Sequence, residues 1–501
     1  AGAGASSGMA MAHWEIQGWM ILILGWVFVP FYTRSMVYTM PEFLERRYNP
    51  QSRTILSVIS LVSYVLTKVA VTVYAGGLVF QQVFGIKELW GIDFFWIAAI
   101  GLVVLTALYT IFGGMKSVLY TSVLQTPILL LGSLIILILG FKELGGWDEM
   151  MRVCGAVTVN DYGDTMTNLI RSNDDANFPW LGALIGSAII GFWYWCTDQF
   201  IVQRVLSGKN EMEARRGTIF GAYLKLLPVF LFLIPGMIAF ALHQKYIGAG
   251  GEGFLPMLEN GTANADAAFP TLVAKLLPAG VKGLVVCGIL AALMSSLASL
   301  FNSSAMLFTI DFYKRFRPET PEKKLVGIGQ VATVVIVILG ILWIPIMRSV
   351  GDVLYTYLQD VQSVLAPGIA AAFLLGICWK RTSAQGGMWG LIAGMVIGLT
   401  RLGAKVYYSN AGEVADSTFK YLFYDMNWLF FCGWMFLFCI IVVIVVSLAT
   451  EAPTAEKIQG LVFGTATKEQ KAATRASWNH WDIIHTVIIL AITAAFYWYF
   501  W

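Results

Sequence analysis

The sequence predicts an all-α protein that crosses a lipid bilayer many times. Hydrophobic residues make up 58% of the 501 residues and charged residues only 13%, about half the charged fraction of a soluble domain. Apolar stretches of about 20 residues, the length that an α-helix needs to cross the hydrocarbon core, recur along the chain. We therefore expect one bundle of membrane helices without a separate soluble domain.

The apolar stretches divide into twelve complete spans and one partial span. The complete spans are predicted at 14–32, 54–84, 92–112, 117–141, 179–203, 217–242, 281–311, 325–347, 353–378, 386–404, 422–449 and 482–501. Residues 1–12 are rich in Gly, Ala and Ser, which let helices pack closely. This segment is predicted to be the second half of a helix, and a flexible tail is the alternative.

Basic residues concentrate in every second loop between these spans. The basic loops contain Arg34 to Arg53, Lys116, Arg204 to Arg216, Lys314 to Lys324, Lys380 and Arg381, and Lys457 to Arg475. The positive-inside rule places such loops in the cytoplasm and the acidic or mixed loops outside. The C-terminal Trp501 is then predicted to lie outside, in a multi-pass protein of the plasma or inner membrane.

Charge and cysteine usage exclude several function classes. The net charge of +3 comes without a basic cluster, so nucleic acid is not an expected partner. The six cysteines show neither a disulfide framework nor metal-ligand spacing. The sequence contains no arrangement of nucleophile, base and orienting group and no phosphate-binding loop, so an enzyme is not expected.

Polar residues inside the spans mark a candidate pathway, because they are costly in lipid unless they face a bundle interior or water. Those at membrane depth are Glu15, Lys68, Tyr194, Trp195, Asp198, Lys225 and Gln359. Lys225 lies nine residues into its span, about 13 Å along a helix, although its side chain could also extend to the membrane surface.

The adjacent aromatic residues Tyr194 and Trp195 suit a sugar ligand. An aromatic ring can stack on the apolar face of a sugar ring while neighbouring amide and charged groups bond its hydroxyls. Gly191 and Thr197 nearby favour an irregular, water-exposed stretch. An aromatic belt at the membrane interface is the alternative.

The segment ALMSSLAS, residues 292–299, places small polar groups on one helix face. Ala292, Ser295 and Ser296 have the spacing i, i+3, i+4, and Ser299 extends the row by one turn. Hydroxyls and a backbone carbonyl are suitable ligands for sodium if a broken neighbouring helix supplies the others. Serines that bond their own backbone or join two helices are the alternative.

Several longer motifs resemble the sodium/solute symporter family, and within it the sodium/glucose cotransporters. They are YTMPEFLERRYN at 38–49, GGMKSVLYTSVLQT at 113–126, WYWCTDQFIVQR at 193–204, YLKLLP at 223–228, ALMSSLASLFNS at 292–303 and APGIAAAFLLGICWKR at 366–381. The resemblance covers nearly the whole chain. It implies a LeuT-like core of two inverted five-helix repeats with additional flanking helices.

This core implies a division of the chain into three parts. Residues 1–140 would hold the end of the first core helix and the rest of the first repeat, 179–378 the second repeat, and 386–501 accessory helices. An N-terminal helix and the first half of the broken core helix would be missing from the sequence.

The resemblance also implies roles for individual residues. The sugar ligands would be Glu15, Lys68, Tyr194, Trp195, Lys225 and Gln359. The inner gate would be Tyr194, with Trp195 as its stacking partner, and the outer gate Tyr355. The co-transported sodium ion would bind Ala292, Ser295 and Ser296.

One departure from the family pattern concerns the number of sodium ions. Many members carry an aspartate where this chain has Ser122, and without that carboxylate a second sodium ion loses its main compensating charge. The expected function is a symporter that imports one sodium ion with a hexose, glucose or galactose, by alternating access. A symporter of another small organic solute and a sugar-gated sensor or channel are the alternatives, and the sequence leaves the oligomeric state open.

Overall fold

The computed structural model describes residues 1–258, 261–350, 354–410 and 415–501. Inside its helices, the side chains at 66, 109, 111–119, 121, 124, 346–350, 354–356 and 410 are outside the described set. In the described part, eleven helical segments are long and apolar enough to cross a membrane. The strands there form one small hairpin, Glu88–Leu89 with Ile92–Asp93. The all-α class is confirmed.

The α-helices follow one another along the chain with short connections. They are α1 (Gly2–Ser7), α2 (Ala12–Glu15), α3 (Gly18–Ile23), α4 (Val29–Ser35), α5 (Met40–Arg47), α6 (Pro50–Ser63), α7 (Ala70–Phe84), α8 (Phe94–Leu144), α9 (Trp147–Gly155), α10 (Trp180–Gly191), α11 (Gln199–Leu206), α12 (Glu211–Pro228), α13 (Ile234–Gly248), α14 (Ala268–Leu276), α15 (Ala279–Met306), α16 (Lys314–Phe316), α17 (Glu322–Val350), α18 (Leu354–Cys378), α19 (Ala384–Asn410), α20 (Thr418–Lys420), α21 (Trp428–Ala449), α22 (Ala455–Ile458), α23 (Lys468–Ala476) and α24 (His480–Tyr499).

Short non-α segments interrupt or extend several of these helices. The 3₁₀ turns are Gly8–Met11 and Ala265–Ala267, and the π segments are Leu24–Phe28, Tyr64–Val69, Phe192–Thr197, Val229–Leu233, Leu307–Tyr313 and Tyr421–Asp425. A π segment widens a helix by one residue and is frequent at functional sites. Three of the candidate site residues lie in such segments: Lys68, Tyr194 and Trp195.

The first helices keep one direction along a core helix from α2 into α3, because Glu15 pairs with Lys225 and Gly25 lies beside Thr218. Gly4 in α1 packs against Leu233, whereas Gly18 in α3 packs against Ala222, more than two turns earlier along the same core helix. A side chain at Gly18 would place its Cβ 2.9 Å from the Ala222 carbonyl oxygen, so close helix approach explains this glycine. The small residues at the start of the chain therefore belong to a packed helix rather than to a flexible tail.

The helix α8 replaces two of the predicted spans, 92–112 and 117–141. It is helical from Phe94 to Leu144, but it is not straight. Leu102 and Leu293 both lie beside Gly76, while Ser122 contacts Ser295, which is two residues after Leu293. Twenty residues of straight helix would separate Leu102 from Ser122 by about 30 Å, so α8 bends sharply and both of its halves pack near α15.

Five of the six predicted basic segments contact one another at one face of the bundle, as their alternation predicts. Lys457 donates to the Glu45 carbonyl oxygen at 3.0 Å, and Arg315 donates to the Pro50 carbonyl oxygen at 3.0 Å. These two contacts join α22 to α5 and α16 to α6. We call this side of the molecule the basic face.

Candidate functional site

The π segment Phe192–Thr197 holds the two aromatic residues of the candidate site. It ends at Asp198, whose backbone is extended and whose side chain caps α11 by accepting a hydrogen bond from the Phe200 amide at 3.2 Å. Within the segment the ring centroids of Tyr194 and Trp195 lie 5.0 Å apart in an edge-to-face arrangement. The helix break therefore fixes both rings at one level of the bundle.

Glu15 and Lys225 form an ion pair across the predicted repeats. The Lys225 Nζ lies 2.6 Å from Glu15 Oε2 and 5.5 Å from the centre of the Trp195 ring. Both side chains are mostly buried, with 15% and 17% of their surfaces exposed. Lys225 thus turns towards Glu15 in the bundle and does not extend to the membrane surface.

Lys68 has a carboxylate partner of its own, Asp198, and both side chains are buried. The Lys68 Nζ also lies 4.9 Å from the centre of the Tyr194 ring and 4.4 Å from that of Phe200. Tyr64 donates its hydroxyl to the same carboxylate at 2.9 Å. The sequence indicated Lys68 and Asp198 separately but not their pairing, nor the contribution of Tyr64 and Phe200.

Two cavities flank the Glu15–Lys225 pair. The first, of about 360 Å³, is lined by Glu15 and by residues of α14 at the end of the bundle opposite the basic face, among them Phe269. The second, of about 510 Å³, is lined by Trp195, Lys225 and, nearer the basic face, Glu213. The ion pair therefore lies between two cavities, one towards the basic face and one towards the opposite end of the bundle.

Gln359 lies apart from this cluster in the described contacts. Its side chain is buried in α18 and its Oε1 has no hydrogen-bond partner among the described residues. The preceding residue, Leu358, lines the first cavity. The predicted outer gate, Tyr355, has a side chain outside the described residues.

The candidate sodium residues on α15 differ in their surroundings. The Ser295 hydroxyl is buried and its oxygen lies 2.6 Å from that of Ser122 on α8. Ala292 is half-buried and Ser296 is exposed. The structure places these residues on one stretch of α15, and the described contacts bring only Ser295 to a neighbouring helix hydroxyl.

Ser299, one turn further along α15, contacts a cationic side chain. Arg204 donates from Nη2 to the Ser299 hydroxyl at 2.5 Å, and Gln203 donates to the Ser299 carbonyl oxygen at 3.2 Å. In the sequence, Arg204 is predicted only as a charge of a basic loop. Arg204 lies in α11, which begins after the helix break at Asp198 and turns into the bundle. The break is the sequence feature that could have indicated its contact with α15.

Comparisons with known proteins identify the family. The model of the sodium:solute symporter family matches residues 1–394. The chain belongs to this family. It is 35% identical to the human sodium/myo-inositol cotransporter 2 over 93% of this chain and 70% of that one. The sodium/mannose cotransporter SLC5A10 of Bos taurus is 36% identical over 96% and 83%, and the sodium/glucose cotransporter 4 of Danio rerio is 35% identical over 91% and 70%.

A solved structure supports the fold of this symporter. A Na⁺-coupled sialic acid symporter in a substrate-bound, outward-open state superposes with a TM-score of 0.68, at 21% identity, over 90% of this chain and 86% of that one. The fold is therefore LeuT-like, as the motifs implied. The protein is a multi-pass membrane transporter rather than an enzyme, and it moves its solute together with sodium.

Proposed function

We propose that this symporter imports a hexose and that Glu15, Lys225 and Trp195 are its central sugar contacts. The observation that carries the proposal is the position of the Glu15–Lys225 pair beside the Trp195 ring and between two cavities. A cyclic polyol is the second candidate, because a similar relative is named for myo-inositol, whereas mannose and glucose, in the names of two others, are both hexoses.

The chemistry of these three side chains matches that of a sugar. A carboxylate has about four acceptor sites and an ammonium three donors, so both can bond several hydroxyls while they stay in contact with each other. Each hydrogen bond to such a charged group contributes about 1.5–3 kcal/mol. The Trp195 ring supplies an apolar face, on which a pyranose ring can stack.

The remaining predicted ligands would complete the site from two sides. Tyr194 separates the Lys68–Asp198 pair from Trp195, which suits an inner gate that moves with the π segment. Gln359 follows Leu358, which lines the first cavity, but points about 100° further around the helix, so its amide would reach a sugar when α18 rotates. Tyr355 would close that side as the outer gate.

We assign the cytoplasm to the basic face, by the positive-inside rule. The first cavity then opens outwards, the second opens to the cytoplasm, and the C-terminus lies outside. Sodium would bind at Ala292, Ser295 and Ser296 and favour the outward-open state. A potential of about 100 mV contributes ~2.3 kcal/mol per charge and a tenfold gradient ~1.4 kcal/mol to each cycle.

We further propose a stoichiometry of one sodium ion per sugar. The second cation site of related proteins would need a carboxylate at position 122, where this chain has a serine in contact with Ser295. The hydroxyl of Ser299 accepts a hydrogen bond from the Arg204 guanidinium. A second sodium ion there would meet a positive charge and no compensating carboxylate.

Uptake into proteoliposomes tests these proposals. With an inward sodium gradient, we expect labelled glucose or galactose to accumulate above the external concentration, and not when choline replaces sodium. Accumulation of myo-inositol alone would favour the second candidate, and a sugar-evoked current without accumulation would favour a sensor. The ratio of sodium to sugar fluxes should be one, and a ratio of two would contradict the stoichiometry.

A further inference from the structure

A long groove lies between α6 and α17, apart from the candidate sugar site. Its volume is about 700 Å³, within the range of about 300–1,000 Å³ found for small-molecule sites. Apolar side chains form its walls, among them Leu61, Val65, Phe308 and Val331. Among the described residues that line it, the charged one is Lys324.

The length of the groove fits a lipid tail. Its lining on α17 extends from Lys324 to Leu339, and fifteen residues of helix rise about 22 Å. One leaflet of a bilayer contains about 15 Å of hydrocarbon, half of the ~30 Å core. A chain that starts at the level of Lys324 can therefore follow the groove through its whole leaflet.

The mouth of the groove has a net positive charge. The segment from 314 to 324 contains five basic side chains and two acidic ones: Lys314, Arg315, Arg317, Lys323 and Lys324, with Glu319 and Glu322. Arg315 bonds the Pro50 carbonyl oxygen, so this segment lies over the beginning of α6. Basic pockets between membrane helices on this side of a protein attract anionic lipid head groups.

We propose that the groove binds one anionic phospholipid, with an acyl chain between α6 and α17 and its phosphate at Lys324. The site adjoins the transport machinery, because the wall residue Val65 lies in the same π segment as Lys68. The same π segment also packs on α17. A lipid in this groove therefore supports the helix wall that holds the Lys68–Asp198 pair.

Two substitutions separate the tail from the head group. Gly327 lines the groove, and no atom lies within 4 Å of the position that a Cβ would take there. Gly327→Leu would direct its side chain into this open space, and leucine is a better helix former than glycine, so folding should be retained. Lys324→Gln removes the charge at the mouth. The matched controls are Lys323→Gln, the neighbouring exposed lysine, and Gly101→Leu, at another open glycine.

Native mass spectrometry of the purified protein, with phosphatidylglycerol or phosphatidylcholine added, measures the binding. We expect one phosphatidylglycerol to remain bound to the wild type and to both controls. Lys324→Gln should lower its occupancy by about fivefold, and Gly327→Leu should remove the binding of either lipid. Equal retention of phosphatidylcholine by the wild type, or an equal loss in Lys323→Gln, would overturn the proposal.

A transport measurement adds a second readout. Uptake by the wild type should increase when phosphatidylglycerol is added to phosphatidylcholine liposomes, and uptake by Gly327→Leu should not respond. A Gly327→Leu protein that responds as strongly as the wild type would overturn the link between groove and transport. Failure of the hexose assignment would leave the binding measurement unaffected, because that measurement uses no sugar.

Discussion

Two lysines at membrane depth, Lys68 and Lys225, share a chemical setting but differ in their surroundings. Each is paired with a carboxylate and lies against an aromatic ring. Lys68 is buried, with its ammonium 4.4–5.9 Å from four ring centres, and its partner Asp198 also accepts a hydrogen bond from Tyr64. Lys225 lines a cavity.

The difference indicates that a charge inside a membrane can serve the fold or the ligand. A buried charge must be matched by partners within the protein, because losing one partner leaves the other uncompensated. A charge beside a cavity can exchange protein partners for water or substrate. We therefore infer that Lys68 mainly holds the break at Asp198 in place, whereas Lys225 mainly binds the sugar.

The largest effect is expected from Lys68→Ala. The change leaves Asp198 buried without its cation, and breaking a buried pair in this way costs about 3–5 kcal/mol. We expect a marked fall in the thermal unfolding temperature in detergent and little folded protein. The double variant Lys68→Met with Asp198→Asn removes both charges and should regain most of the stability. An unfolding temperature of Lys68→Ala equal to that of the wild type would show that the pair does not support the fold.

Lys225→Met should affect sugar affinity more than stability, the opposite of Lys68→Ala. The variant loses hydrogen bonds from a charged donor, worth about 1.5–3 kcal/mol, so the apparent sugar affinity should fall roughly 10- to 100-fold. Its stability should fall less than that of Lys68→Ala, because Glu15 borders a cavity and can be hydrated when the lysine is lost. Labelled uptake and thermal unfolding measure the two effects. The control Lys245→Met, at a lysine that bonds the Leu144 carbonyl, should leave sugar affinity unchanged; an equal loss there would remove the special role of Lys225.

A smaller effect is expected from Ser296→Ala. This variant tests on α15 whether a polar group serves the ligand or the fold. The Ser296 hydroxyl is exposed and would serve sodium rather than the fold. Loss of one oxygen ligand should lower the apparent sodium affinity roughly 2- to 10-fold with little change in stability. Uptake as a function of sodium concentration gives the affinity. Ser303→Ala, where the hydroxyl bonds the Ser299 carbonyl within the helix, is the control, and unchanged sodium dependence in Ser296→Ala would remove this residue from the site.

The smallest effect is expected from Trp195→Leu. The ring would stack on the sugar and also holds the Lys225 ammonium 5.5 Å from its centre. Loss of that cation–π contact, worth about 0.5–1 kcal/mol, should lower sugar affinity roughly two- to fivefold. Phe192→Leu changes a ring of the same π segment that packs on Phe28 instead and should bind sugar normally. If Phe192→Leu lost the same sugar affinity, the effect would come from the shape of the π segment and not from the Trp195 ring.

The sequence predicted the class of fold and the identity of several site residues because membrane burial is visible in composition. Glu15, Lys68 and Lys225 are recognisable without a structure, since ionisable residues are rare in apolar spans. The predicted division of 92–141 into two spans followed from its length, and the structure shows one bent helix, α8. Bending of this kind depends on packing against neighbours, which local sequence does not contain.

Pairing was what the sequence could not determine. Glu15 and Lys225 are 210 positions apart and Lys68 and Asp198 are 130 apart, and several exchanged pairings were equally compatible with the pattern. The reach of Arg204 to Ser299 depends on the helix break after Thr197. Exposure of Ser296 beside a buried Ser295 depends on which helices cover each side of α15, and helical spacing alone treats the two as one face.

The sequence by itself therefore determined that this chain is a membrane symporter with a polar pathway, because apolar length, loop charge and family motifs are properties of the linear chain. The tertiary structure decided which charge neutralises which, and which of them meets a cavity. The physical reason is that the cost of a charge in the membrane depends on its neighbours in space, and helices distant in sequence supply those neighbours.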